Sequence, residues 1–179
     1  TTSITTDGKK NSIINGITDW VYEEEFAFVK AFDWSADSKK IAFIRFDESE
    51  VPEFSMSIFQ KELYPKVETF KYPKAGEKNA VVSLHIYDVA SQAKKDVNLG
   101  NYSDFYIARM QWTNDANVLS AQVLNRHQDN LDLLFIDGTT AAAKVVLNEK
   151  DKAYIDVTDN LTFLKDNSFI WTSEKDGFN

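Results

Sequence analysis

Trp34-Ser35-Ala36-Asp37-Ser38-Lys39-Lys40-Ile41-Ala42-Phe43 reads as an aromatic strand end, a polar turn and the start of an apolar strand. The same order returns in Trp112-Thr113-Asn114-Asp115-Ala116-Asn117-Val118-Leu119-Ser120-Ala121, and again in Phe163-Leu164-Lys165-Asp166-Asn167-Ser168-Phe169-Ile170-Trp171. Each copy carries an acid three places after its aromatic, where Asp closes a tight turn by bonding its own backbone. Such turns join the inner two strands of a propeller blade. The copies lie about 51 residues apart from Trp112 to Phe163, close to the roughly 40–50 residues of a four-stranded blade, and about 78 apart from Trp34 to Trp112. The excess falls on residues 51–79, which read as an insertion rather than a blade.

Other segments supply the remaining strands. Residues 80–89 alternate through Val82, Leu84 and Ile86, residues 131–137 close on Asp137-Gly138, and residues 144–147 form a further apolar run. Period-two alternation and Asp-Gly turns are strand and hairpin signals. Only residues 19–26 look helical, one or two turns on a loop. The predicted fold class is all-β, a partial β-propeller of about two full four-stranded blades plus incomplete blades at each end. Residues 28–97 and 106–148 form the full blades. Thr1 to about Ile14 is the outer strand of an earlier blade, and residues 159–179 begin a third. A propeller closes with about four to eight blades, so the chain is expected to be a piece of a longer protein.

With 179 residues, of which 43% are hydrophobic, the chain is long enough for one sizeable core. A formal net charge of -8 argues against nucleic acid and anionic membrane surfaces as partners, since both would repel it. The chain has no cysteine, which excludes disulfides and thiolate chemistry. Its two histidines, His85 and His127, stand in strand-like sequence and are not spaced as a metal pair. No Gly-x-Ser-x-Gly or phosphate-cradling loop occurs. No catalytic residue, metal or cofactor is therefore expected within the chain, and no contact with a membrane.

Ile17-Thr18-Asp19-Trp20-Val21-Tyr22-Glu23-Glu24-Glu25-Phe26 sets three consecutive acids in an aromatic and β-branched frame. Adjacent carboxylates repel one another and gain nothing unless a cation or a set of donors faces them. Charge runs usually sit solvated on open surface, and residue type alone leaves that reading standing. The alternative is a ligand site, because neighbouring residues in a helical turn project about 100° apart and two of three acids can converge on one point. An ammonium group suits that geometry. It offers three donors, and a peptide α-amino group with a pKa of roughly 7.7–8.0 is still mostly charged at neutral pH.

Gly16-Ile17-Thr18-Asp19-Trp20-Val21-Tyr22-Glu23-Glu24-Glu25 resembles the double-glutamate segment of the dipeptidyl peptidase IV family, serine peptidases that release Xaa-Pro or Xaa-Ala dipeptides from free N-termini. Glu50-Val51-Pro52, Tyr64-Pro65-Lys66 and Tyr72-Pro73-Lys74-Ala75-Gly76-Glu77-Lys78-Asn79 resemble further stretches of that family, in the same order. The likeness is dense from about Asn15 to Asn79 and continuous in pattern to the end of the chain. It implies that residues 1–179 belong to the N-terminal β-propeller domain, with the catalytic triad in a C-terminal α/β-hydrolase domain outside this chain. It also implies that Glu24 and Glu25 hold the substrate's N-terminal ammonium, placing the second peptide bond at the nucleophile. Glu23 matches the preceding acid, which the family does not use for that contact. A family arginine facing the same pocket would precede Thr1.

Two further residues enter by position. Phe28, alternating with Phe26 after the acids, lines either the adjoining cavity wall or the core. Tyr154 falls near an aromatic that relatives place over the substrate, although Ala153-Tyr154-Ile155-Asp156 departs from the family pattern. The proline-bracketed insertion reads as a projecting two-stranded arm, and the resemblance implies a homodimer through the 59–73 arm, with an arm folded flat on its own propeller as the alternative. The absence of cysteine resembles bacterial members, which implies the periplasm or cell envelope and a targeting segment outside this chain. Two other functions fit the same residues: a non-enzymatic propeller module whose acids bind a basic partner, and a related peptidase of tripeptidyl specificity.

Overall fold

A computed structural model of the chain describes residues 2–177. In chain order its first elements are β1 (Ile13–Asn15), the helix α1 (Trp20–Glu25), β2 (Phe32–Trp34), β3 (Lys40–Asp47), β4 (Glu53–Ile58), β5 (Lys66–Lys71), β6 (Val81–Asp88) and β7 (Ala93–Asp96). They are followed by β8 (Phe105–Trp112), β9 (Val118–Asn125), β10 (Asn130–Asp137), β11 (Ala143–Lys150), β12 (Thr162–Phe163) and β13 (Phe169–Ile170). The architecture is an all-β partial propeller. One blade pairs β3, β6 and β7 behind β1 and β2, the second is the meander β8 to β11, and the pair β12 and β13 begins a third.

The repeat read from the sequence is the joint between the first two strands of each unit. In all three copies the Asp carboxylate accepts the backbone N–H two residues on: Asp37 from Lys39 at 3.1 Å, Asp115 from Asn117 at 2.8 Å and Asp166 from Ser168 at 3.1 Å. The hydrogen-bonded Asp fixes the reversal, and the apolar alternation then fixes which face turns inward. Ala42, Ile44 and Phe46 of β3 and Val82, Leu84 and Ile86 of β6 are all buried in one core. The same core takes Leu119, Ala121 and Val123 of β9 with Leu134 and Ile136 of β10.

The N-terminal segment corrects the sequence reading. Residues 13–15 are not the outer strand of an earlier blade, because β1 pairs antiparallel with β3, Ile13 opposite Asp47 and Asn15 opposite Arg45. β2 continues the same edge of β3, Phe32 opposite Phe43 and Trp34 opposite Ile41. The two short strands are one first strand split in the middle. Between them the chain leaves at Gly16 and returns at Ala31, and both are tied to Ile44: Gly16 N–H donates to the Ile44 carbonyl at 3.0 Å and Ile44 N–H to the Ala31 carbonyl at 2.9 Å. The first blade therefore starts at residue 13 rather than 28, and Thr1 lies outside the described residues. Gly16 has φ 74, a left-handed conformation that lets the chain turn out of the sheet without a Cβ penalty.

The first strands of the two blades face each other. Asp33 of β2 accepts the Trp112 backbone N–H of β8 at 3.0 Å, and the Trp112 indole N–H donates to the Asp33 carbonyl at 3.1 Å. Edge-strand donors that would otherwise be orphaned are thus met from the neighbouring blade. The insertion forms the predicted arm, β4 paired with β5 in a sheet of their own. No helix of the described residues is long and apolar enough to cross a membrane.

Candidate functional site

The excursion from residue 17 to residue 30 carries α1, and its stem is zipped: Thr18 N–H donates to the Val29 carbonyl at 3.1 Å and the Thr18 hydroxyl to the Phe28 carbonyl at 3.0 Å. A six-residue helix is marginal on its own, so caps and packing must hold it. Asp19 is the N-cap, its carboxylate accepting the Tyr22 N–H at 3.0 Å. At the other end the Phe26 N–H donates to the Tyr22 carbonyl at 3.1 Å, and Ala27 follows at φ 55, an uncommon value for a residue with a Cβ. Val21, Tyr22 and Phe26 face the core and are buried. Glu23, Glu24 and Glu25 face out and are exposed. The helix thus converts three consecutive acids into a fan on a fixed support.

Beneath it lies an aromatic cluster. The Tyr22 ring meets Phe26 at 5.1 Å, Phe46 edge-on at 4.8 Å, Phe28 edge-on at 5.8 Å and Tyr106 at 6.1 Å between centroids. Burial, above all, pushes the Tyr22 phenol well above its ordinary range, so it stays neutral. On the other side, Trp20 packs at a tilt of 50° against Tyr72 at the base of the arm, 4.2 Å between centroids, and Tyr72 touches Phe54 and Phe70. Helix and arm flank an open cavity of about 810 Å³ whose wall includes Trp20, Glu25, Phe54, Phe70, Tyr72 and, from the second blade, Arg126.

The four residues singled out from the sequence do not share one cavity. Glu25 lines the space between α1 and the arm, whereas Glu24 points to solvent beside it. Phe28 is half-buried against the core, lies 5.6 Å under the Arg109 guanidinium and lines a separate cavity of about 210 Å³ with Ile44 and Asp159. Tyr154, 56% exposed, lines a third space with Trp171 and Gln122, apart from the acids. Glu24, Glu25 and Phe28 are consequently neighbours on one excursion, and Tyr154 lines a different space next to Ile155, whose N–H donates at 2.8 Å to the carbonyl of Gln128 on the wall of the cavity that Glu25 lines.

Two arrangements escaped the sequence. Ser83, His85 and Asp96 form a hydrogen-bonded chain, Ser83 Oγ to His85 Nε2 at 2.8 Å and His85 Nδ1 to Asp96 Oδ1 at 2.7 Å. The distances match a nucleophile, base and orienting acid, but β6 is an interior strand between β3 and β7, and none of the cavities described here is lined by any of the three. His85 instead stacks on its cross-strand partner Phe43 at 5.1 Å, and its burial, more than Asp96 opposes it, lowers its pKa. Among the described residues no group of three potential ligands is placed to hold a metal ion.

The second is the buried acid under the helix. Burial raises the pKa of Asp19 to about 6, against the N–H bonds that lower it, and Glu48, also buried, is raised by burial and then by Asp19. A raised carboxylate favours the protonated form in the fold. Its contribution is complete below the unfolded value of 3.8 and is lost as pH rises through about 6. Asp19→Asn keeps an acceptor for the Tyr22 N–H and removes the titration. Its melting temperature is expected to exceed that of the unaltered protein at about pH 8 and to match it near pH 4 in thermal unfolding across that range. An equal difference at both ends would show that the charge is not the cause.

Known proteins share this fold and these elements. The family described as Dipeptidyl peptidase IV (DPP IV) N-terminal region matches residues 1–179. The chain is 37% identical over 182 residues to a probable dipeptidyl-aminopeptidase B of Talaromyces stipitatus, covering 91% of this chain and 20% of that protein. The crystal structure of Porphyromonas gingivalis dipeptidyl peptidase 4 superimposes with a TM-score of 0.92 at 44% identity, over 97% of this chain and 25% of the other. A putative dipeptidyl aminopeptidase IV from Bacteroides ovatus does so with a TM-score of 0.79 at 26% identity, over 90% of this chain and 22% of the other. The chain therefore spans about 20% of the length of a curated relative it matches. With a family match along its whole length and the blades of a solved relative reproduced, the chain belongs to the dipeptidyl peptidase IV N-terminal region family.

Proposed function

We propose that the longer protein containing this chain is a serine-type dipeptidyl peptidase, and that this part binds and orients substrate without carrying the catalytic groups. In this reading Glu24 and Glu25 hold the protonated N-terminus of a peptide, and the nucleophile comes from a C-terminal α/β-hydrolase domain. The observation that carries it is the splitting of the first strand at Ile44. A strand that could have run unbroken is opened to seat one short capped helix whose outward face is acidic. Charge-assisted hydrogen bonds are the strong ones, and anchoring one end of a peptide sets which bond meets the nucleophile. Phe28 is on the same excursion as the acids but lines a separate cavity, so it and Tyr154 contact substrate in this reading only where the peptide extends beyond the cavity that Glu25 lines.

The arm supports a second part of the reading, a homodimer through residues 59–73. Phe59 and Tyr64 are each 80% exposed and Leu63 is 89% exposed at its tip, a cluster of apolar groups of the kind that meets a partner. An extracytoplasmic location in the periplasm or cell envelope accords with a chain free of cysteine.

Kinetics on the full-length protein test the acids. Glu24→Gln and Glu25→Gln each remove one charged acceptor, worth about 1.5–3 kcal/mol, so kcat/KM for a peptide with a free N-terminus is expected to fall about 10–100-fold. Cleavage of the N-acetylated peptide should be poor before and after the change. Unaltered cleavage of free peptides by both variants would remove the assignment.

A further inference from the structure

We propose that Tyr22 is a positioning residue, its hydroxyl fixing the angle at which α1 presents Glu24 and Glu25 by accepting a backbone N–H from the second blade. The inference rests on the ammonium-binding reading above. Tyr22 is 2% exposed and sits in the middle of α1, its side chain buried where those of the acids are exposed. Its ring is gripped by Phe26, Phe28, Phe46 and Tyr106, an apolar surround that a phenylalanine would satisfy equally. The hydroxyl answers to one further feature, the Ile107 N–H of β8, which donates to it at 2.9 Å.

That donor is distinctive. β8 is the edge strand of the second blade, and its pairing with β9 slips between Ile107 and Arg109, so Ala108 stands unopposed. Ile107 and Ala108 are fully buried, so the N–H has no water to turn to. Tyr22 belongs to the excursion of the first blade and Ile107 to the second. The bond therefore ties the acid helix to the neighbouring blade as well as to its own. Asp19 caps the first turn, and the rings of Tyr22 and Phe26 pack on Tyr106 of β8. To that packing, which is not directional, the Tyr22 hydroxyl adds a directional bond, so its loss loosens the seat of the acids and weakens their hold on the ammonium.

The test is Tyr22→Phe in the full-length protein, assayed on a dipeptidyl amide with a free N-terminus. KM is expected to rise about tenfold with kcat within about twofold, since the loosened acids bind the ammonium less well while the chemistry is unchanged. Leu133→Ala in β10, buried and far from α1 in the chain, serves as control. It should lower the melting temperature and leave KM as it was. A Tyr22→Phe protein with a lowered melting temperature and unaltered KM would make Tyr22 structural only and overturn the proposal. Glu24→Gln and Glu25→Gln in the same assay keep the two ideas apart: if they raise KM and Tyr22→Phe does not, only the positioning role falls, and if they also leave KM unchanged the ammonium reading itself falls. Should Tyr22→Phe not fold, hydrogen exchange on the unaltered protein decides. Protection of the Ile107 amide should increase on adding the dipeptide Gly-Pro and not on adding its N-acetyl form, and equal protection in both would overturn the proposal.

Discussion

Phe46→Ala is expected to lower stability by about 3–5 kcal/mol, the range for a buried aromatic cut to Ala with incomplete collapse of the cavity. Phe46 is 0% exposed and stands edge-on to Tyr22 at 85°. It lies in β3, paired with Ile14 of β1 on one side and Val82 of β6 on the other, so the sheet around it cannot close up without moving three strands. Its loss also removes the floor of the cluster on which α1 rests. Denaturant unfolding should show a lower midpoint. A change under about 1 kcal/mol would mean that the helix is supported elsewhere.

The second large effect concerns a glycine that its turn does not fully explain. A Cβ at Gly138 would lie 2.9 Å from Trp112 Cζ3, 3.0 Å from Cη2 and 3.2 Å from the Asn117 carbonyl oxygen. Trp112 is buried and bonded to Asp33 of the first blade, so its ring has no room to retreat. Gly138→Val is expected to cost about 2–3 kcal/mol by overpacking, and to loosen the contact between blades as well as the β10 to β11 turn. A melting temperature equal to that of the unaltered protein would show that the indole moves freely, against the tie to Asp33.

Gly138 also marks where the sequence stops being informative. Asp137-Gly138 is legible as a turn, and Asp137 does accept the N–H groups of Thr139 and Thr140 at 2.8 and 2.6 Å. The need for absent side-chain volume comes from a tryptophan in another strand, which no local pattern encodes. The three Asp turns, the alternating strands and the short helix were readable because each is set by residues within one or two positions. The split first strand was not. β1 is three residues long, and what makes it part of the first blade is its partner Asp47, far along the chain. Tyr22 and Ile107 are 85 residues apart, so their bond leaves no trace in either segment. Residue type alone leaves three adjacent acids readable as a solvated charge run, and Glu24 and Glu25 stand out through the resemblance of residues 16–25 to the family's double-glutamate segment. The cavity beside them was not, since it is made by the arm closing over Trp20 through Tyr72. The Ser83, His85 and Asp96 chain shows the converse, a catalytic-looking geometry in the middle of a sheet that a strand-bound histidine did not announce.

The most direct test is a structure of the full-length protein with a dipeptide product bound through its free amino group. The account predicts the ammonium nitrogen within hydrogen-bonding distance, about 2.7–2.9 Å, of a carboxylate oxygen from both Glu24 and Glu25, with α1 still bonded to Ile107 through Tyr22. An ammonium held by other residues, with both carboxylates facing bulk solvent, would contradict it.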